Sequence, residues 1–168
     1  NINSIIVWNP FVLQTLRTRD DVKVLFDSTT IPEEIIDCVV VSKESLKRPG
    51  GEAFACAVID VFYEVNKLLE NSATRNDTLV ALGSKFSSLN ASDMEICCKQ
   101  TRFYSTPDKA LKLFNDSKFQ KQTSPTVVEF AETHEIVEKV AGKRIGFNDD
   151  SVPLNFTTKY IELYQSKQ

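Results

Sequence analysis

Four residues near the start of this 168-residue chain, Trp8, Asn9, Ser28 and Glu34, are the best candidates for chemistry, and their chemistry is that of ligand binding. The Trp8 ring can stack on a planar ligand and its N–H can donate a hydrogen bond, with Asn9 as a polar partner beside it. Trp8 is also compatible with a core position in which its N–H is satisfied. The first pair therefore predicts either a ligand contact or a core aromatic residue.

Ser28 and Glu34 belong to a polar stretch around Pro32, and they favour different ligands. Asp27-Ser28-Thr29-Thr30 offers hydroxyls and backbone N–H groups at a helix start, which suits an anion, although simple capping explains the same residues. Glu33 and Glu34 would repel a sulfonate or a nitrate, and a carboxylate beside a cleft suits an amide, an amine or a guanidinium instead. Glu34 is equally compatible with a solvated position in a first helical turn.

Motifs for catalysis or for metal binding are missing from the sequence. There is no G-x-S-x-G, no P-loop and no C-x-x-C, and His134 is the only histidine. We therefore predict no catalytic residue, no metal site and no cofactor. The four cysteines, Cys38, Cys56, Cys97 and Cys98, are expected to be buried as small hydrophobic residues. Four free thiols speak against an oxidising compartment.

Composition fits a globular chain and excludes two classes of function. Hydrophobic residues make up 42% of the chain and charged residues 26%, which leaves enough apolar material for a sizeable core. The net charge is −3 and the Lys and Arg residues are scattered, so no basic stripe is available for nucleic acid. No apolar run approaches the roughly 20 residues that are needed to cross a bilayer.

Three short apolar runs predict the strands that would position the candidate residues. Residues 5–7, 22–26 and 39–41 are mostly apolar without alternation, as in strands that are buried on both faces of a parallel sheet. Ligands of open α/β sheets bind at the carboxyl ends of such strands, and Trp8 directly follows the first run. Pro32 is expected to open a helical turn over residues 33–36. These patterns predict an α/β fold.

The remainder of the chain predicts mostly helices. The strongest one begins after Gly50-Gly51, and its apolar residues recur at steps of three and four. They are expected to form one buried face: Phe54, Val58, Val61, Val65 and Leu68. Later helices are predicted where a capping residue precedes an apolar run. These starts are Thr74, Asn90, Thr106-Pro107 and Ser124-Pro125.

The order of these segments resembles a known family, the extracytoplasmic substrate-binding proteins of nitrate/sulfonate/taurine-type ABC importers, and within it the branch associated with urea carboxylase. Residues 8–10 match its W-N-P, residues 26–29 resemble its F-D-S-S, and residues 31–37 resemble its I-P-G-E-I-[IL]-D. Residues 101–107 resemble its T-x-x-F-Y-x-P, and the likeness extends over nearly the whole chain. Glu33 stands where the family usually has Gly, and Phe62 stands where Trp is common.

The resemblance implies a type II periplasmic-binding-protein-like α/β fold, of which this chain would be a helix-rich C-terminal fragment. Residues 1–40 would supply the end of the second lobe and the return crossing, and residues 41–168 the C-terminal part of the first lobe with its closing helices. The ligand would be held by hinge closure between the lobes. Because half of the cleft would be missing, the fragment is expected to bind its solute weakly and to associate with itself.

The same resemblance implies a function in solute import, without a catalytic step. Trp8, Asn9, Ser28 and Glu34 would take up a small nitrogenous compound, such as urea, an amide or a guanidine, for delivery to the permease subunits of an ABC transporter. The location would be the periplasm or the extracytoplasmic face of a membrane. Three alternatives stay open: a sulfonate or nitrate binder, a ligand-sensing module of the same fold in a signalling protein, and a helical interaction module without a small ligand.

Overall fold

A computed structural model describes residues 3–86 and 89–168 of the chain. The fold is mixed α/β and rich in helix, which confirms the predicted class at that level. The α-helices are α1 (Phe11–Thr18), α2 (Lys43–Lys47), α3 (Gly51–Glu70), α4 (Arg75–Phe86), α5 (Ala91–Lys99), α6 (Pro107–Phe114), α7 (Ser124–Thr133) and α8 (Lys159–Gln165). A 3₁₀ turn covers Ser28–Thr30 and a π-helical turn covers Phe119–Thr123. Strands β1 (Ile145–Phe147) and β2 (Leu154–Phe156) pair in parallel, with Ile145 opposite Leu154.

Capping residues start several of these helices at the predicted places. The Asn90 side chain accepts a hydrogen bond from the Asp93 N–H at 2.9 Å and so begins α5. The Thr106 hydroxyl accepts from the Lys109 N–H at 3.4 Å, and Pro107 occupies the first turn of α6, where its missing N–H costs nothing. The predicted starts of α4, α5 and α6 are therefore confirmed.

The long helix α3 is confirmed, but its predicted buried face is wrong. Ala55, Tyr63 and Leu69 are buried, whereas Val61 is 61% exposed and Phe54 is 68% exposed. Ala55 and Leu69 each follow a predicted position by one residue, which is a rotation of about 100° around the helix axis, and Tyr63 follows Val61 by two residues. Because the first half of α3 is apolar almost all round, its period fixes a helix without deciding which face is covered.

The three predicted strands near the start of the chain are wrong. Residues 5–7, 22–26 and 39–41 are irregular and largely exposed, with Ile6 at 89% and Val40 at 75%. A strand needs a partner for its N–H and C=O groups, and within residues 3–86 and 89–168 only β1 and β2 form such a pair. Apolar composition alone therefore does not predict a sheet here.

The chain divides into two compact units, which we call unit 1 and unit 2. Unit 1 comprises Asn1–Asp27 and Glu64–Phe103, and unit 2 comprises Ser28–Tyr63 and Tyr104–Gln168. The predicted boundary between two lobes near residue 40 stays a prediction.

Unit 1 has an aliphatic core in which α4 packs against α5. Leu69, Leu79 and Met94 are buried together at its centre. Gly83 allows the close approach of the chain, because a Cβ at this position would lie 2.2 Å from the Leu89 carbonyl oxygen. The core is therefore closed by a contact that only glycine permits.

Unit 2 has an aromatic core in which α6 packs against α8. Tyr63, Ile161 and Tyr164 are buried together, and the two tyrosine rings lie 4.7 Å apart between centroids. Burial, and then the neighbouring Tyr164, raise the pKa of Tyr63 to about 12. Lys159 forms an ion pair with Glu52, which ties α8 to the first turn of α3.

Candidate functional site

A half-open pocket of about 150 Å³ in unit 2 is the candidate site. One wall comes from the π-helical turn and α7, with Phe119, Val127 and Val128. The facing wall comes from the strand pair, with Ile145, Leu154 and Phe156, and Ile36 and Cys38 also line the pocket. The interior is therefore apolar, and the polar groups that reach it are few and identifiable.

An aromatic cluster fixes the position of these walls. Phe147 and Phe156, on neighbouring strands, stack with centroids 5.0 Å apart. Phe119 meets both rings edge-on, at 5.7 Å from Phe147 and 6.1 Å from Phe156. Such pairs add roughly 0.5–1.5 kcal/mol each beyond area burial. The cluster therefore holds the π-helical turn against the sheet beside the pocket.

Hydrogen bonds within its loop and from Lys43 of α2 hold the strand pair, although the connection of residues 148–153 is short for parallel strands. The Asn155 side-chain oxygen accepts from the Asp149 N–H at 2.9 Å. The Lys43 ammonium donates to the carbonyl oxygens of Asp150 and Val152, at 2.5 and 2.6 Å. These bonds take up backbone groups that a hairpin or a crossover helix would otherwise satisfy.

Two carboxylates, Glu33 and Glu34, lie at the rim of the pocket. Glu33 has φ 67°, in the left-handed region, so the helical turn predicted over residues 33–36 is wrong. The Tyr104 hydroxyl donates to Glu33 Oε1 at 3.2 Å and holds this side chain. Glu34 is exposed, and its carboxylate has no hydrogen-bond or ion-pair partner within the described residues. The rim therefore favours cations and N–H donors.

Ser124 is among the residues that line the pocket, and its hydroxyl oxygen is buried. The residue is 7% exposed, and its Oγ has no hydrogen-bond partner among the described residues. The sequence predicts Ser124 as the cap of α7, but helical structure already begins upstream, where Asp116 Oδ1 accepts from the Phe119 N–H at 2.7 Å. A buried hydroxyl left unpaired costs about 1–3 kcal/mol. This residue is the functional candidate that sequence reasoning missed.

The cysteines are less buried than predicted. Cys38 is exposed as a residue, and Cys56, Cys97 and Cys98 are half-buried; all four are free. Burial around the Cys38 thiol, and then the Asp37 charge, raise the pKa of Cys38. Its thiol therefore stays protonated at neutral pH and acts as a weakly polar part of the pocket lining.

Trp8 and Asn9, two of the predicted site residues, lie together in unit 1. Trp8 is 74% exposed and meets Phe11 edge-on, with centroids 6.2 Å apart. Asn9 Nδ2 donates to Gln100 Oε1 at 2.7 Å. The predicted position of Trp8 at the end of a strand is wrong, because residues 5–7 form no strand.

Ser28 and Glu34, the other two predicted residues, lie in unit 2. Glu34 lines the pocket, whereas Ser28 is exposed in the 3₁₀ turn and is not among the lining residues. The four residues thus divide into two pairs, and neither unit contains all of them. Of the four, only Glu34 shares a site with Ser124.

Other kinds of site find no support in the described part of the chain. Residues 3–86 and 89–168 contain no group of three His, Cys, Asp or Glu side chains that could hold a metal ion. His134 stacks on Phe130, with centroids 4.0 Å apart, and is not part of the pocket lining. In the same residues no helix has the length and apolar character needed to cross a membrane.

Comparison of the chain with protein-family models, with curated proteins and with solved structures gave no match. The pocket itself and the sequence resemblance are therefore the guides to function.

Proposed function

We propose that this chain is a solute-binding protein that takes up a small nitrogenous compound, as the substrate-binding component of an ABC importer. The observation that carries the proposal is the pair of rim carboxylates, Glu33 and Glu34, beside an otherwise apolar pocket. Carboxylates accept hydrogen bonds from N–H donors and attract cations, and both effects are stronger next to apolar walls than in open water. A sulfonate or a nitrate would be repelled at the same rim.

The backbone at Glu33 supports the family part of the proposal. The resembling family usually has Gly at this position, and Glu33 has φ 67°, a conformation that glycine adopts without cost. A local conformation that suits glycine is what a loop related to I-P-G-E-I would require. The permease partner and the extracytoplasmic location belong to the proposal through the resemblance alone.

Thermal unfolding in the presence of candidate solutes tests the proposal. We expect amidines or amides, and guanidinium at concentrations too low to denature proteins, to raise the melting temperature, and taurine and nitrate to leave it unchanged. A ligand at 100 times its dissociation constant stabilises the folded state by about 2.7 kcal/mol, which is readily measured. Stabilisation by the anions alone would contradict the proposal.

Matched variants locate the effect. Glu34→Gln removes the exposed rim charge and should weaken binding of a cationic solute. Glu129→Gln makes the same change on the exposed side of α7, outside the pocket lining, and should leave binding unchanged. Equal affinities of the two variants for the cation would show that Glu34 has no role in binding.

A further inference from the structure

We infer that the pocket of unit 2 selects an amphipathic organic cation, with an aromatic or branched apolar body, over a small and fully polar solute such as urea. The inference rests on the proposed function for the site and for the nitrogenous head group. It adds the class of ligand, and it assigns Ser124 as a specificity-determining residue.

The first step is the distribution of polarity along the pocket. Glu34 is exposed at the rim, Ser124 is 7% exposed, and most of the other lining residues are apolar, such as Val128 and Leu154. Urea or free guanidinium would leave these walls uncovered, whereas a ligand with an apolar body would remove them from water.

The second step is size. The pocket has a volume of about 150 Å³, and an apolar cavity of roughly that volume holds a benzene ring in another protein. A ligand of the size of benzamidine would fill it with its ring and leave the amidinium at the rim carboxylates. The stacked and edge-on rings around Phe156 offer such a body an aromatic surface.

The third step is the Ser124 hydroxyl. Ser124 lines the pocket and its Oγ is buried without a partner among the described residues, so a ring substituent that reaches this hydroxyl can supply the missing hydrogen bond. A ligand with a hydroxyl or amino group opposite the amidinium would then bind more tightly than one without it, because only the first forms a hydrogen bond with the unpaired Ser124 hydroxyl.

Isothermal calorimetry on the chain with urea, guanidinium, benzamidine and 4-hydroxybenzamidine tests the inference. We expect benzamidine to bind at least tenfold more tightly than guanidinium, and 4-hydroxybenzamidine more tightly again. Benzoate, which has the same ring and the opposite charge, should not bind. Equal affinities for guanidinium and benzamidine would overturn the inference while the proposed function stands. If no nitrogenous compound binds, the proposed function itself fails.

Two serine variants separate recognition from folding. In Ser124→Ala the advantage of 4-hydroxybenzamidine over benzamidine should disappear, and the melting temperature without ligand should be unchanged or higher. The control Ser117→Ala, at an exposed position, should keep that advantage. A lower melting temperature in Ser124→Ala without ligand would show that the hydroxyl serves the fold, and the assignment of Ser124 would be withdrawn.

Discussion

Unit 1 and unit 2 have cores of different composition, and the candidate site lies in unit 2, whose core contains aromatic rings. Unit 1 closes around Leu69, Leu79 and Met94, with α4 and α5 in close approach at Gly83. Its polar side chains at these helices are used in ion pairs such as Arg75–Glu95, at 2.9 Å. Unit 2 packs large rings, and it contains a pocket between α7 and the strand pair.

Removal of an aromatic ring from the core of unit 2 should have the largest effect. Tyr63 is 3% exposed and contacts the Tyr164 ring, so Tyr63→Ala should cost about 3–5 kcal/mol of unfolding free energy. Chemical denaturation measures this loss. The matched control is Val61→Asp on the exposed face of the same helix, which should change stability by less than about 1 kcal/mol. If the control is as damaging as Tyr63→Ala, the buried face of α3 is the one that the sequence predicted.

A methyl group added at Gly83, where the chain approaches Leu89 closely, should lower the stability of unit 1. In Gly83→Ala the new Cβ would meet the Leu89 carbonyl oxygen at 2.2 Å, so the two segments must separate, at a cost of about 1–3 kcal/mol. Helix propensity opposes this effect, because Ala is favoured over Gly by about 1 kcal/mol inside a helix. Thermal melts with Lys85→Ala as an exposed control in the same helix would decide between the two terms. A stabilised Gly83→Ala variant would mean that unit 1 is more loosely closed than we describe.

The smallest effect concerns alkaline pH. Because the pKa of Tyr63 is raised to about 12 in the folded state, the stability that its neutral form provides is complete below the unfolded value near 10. It should be lost as the pH rises from about 10 toward 12. Tyr63→Phe cannot ionise, so its stability should fall less over that interval. Denaturation midpoints of both proteins across the interval provide the measurement. If the stabilities of the two proteins fall in parallel between pH 10 and 12, the pKa of Tyr63 is not raised in the folded state.

Helix starts were predictable from the sequence, whereas burial and the site were only partly so. The side chains of Asn90 and Thr106 accept hydrogen bonds from backbone N–H groups three residues later. Such local capping bonds can be predicted from the sequence alone. The buried face of α3 depends on which other elements pack against the helix. Two faces of α3 carry apolar residues, so the sequence does not determine which one is buried. Strands at residues 5–7 and 39–41 required partners that the apolar pattern cannot supply.

The candidate site shows the same limit. Glu34 was predicted as a ligand-binding residue, and in the structure it is one of the residues that line the pocket. Ser124 was predicted as a cap because a hydroxyl before Pro125 is a usual helix start. Asp116 performs a capping bond further upstream, which leaves Ser124 without that role. The local sequence does not distinguish a serine that caps a helix from a serine that lies inside a helical segment which begins further upstream.

The order in which the pocket walls occur along the chain has a consequence for the lifetime of a complex. Phe119, α7 and the strand pair lie within residues 119–156, so these walls can assemble by closing short loops. Glu34 and Ile36 come from far earlier in the chain, and their contact with those walls has the greater entropic cost. We expect the segment of residues 33–38 to open before the other walls, so that its amides exchange hydrogen sooner. A bound molecule would then leave at the rate at which this segment detaches, and residence time would be governed by residues 33–38 rather than by the walls that contact most of the ligand.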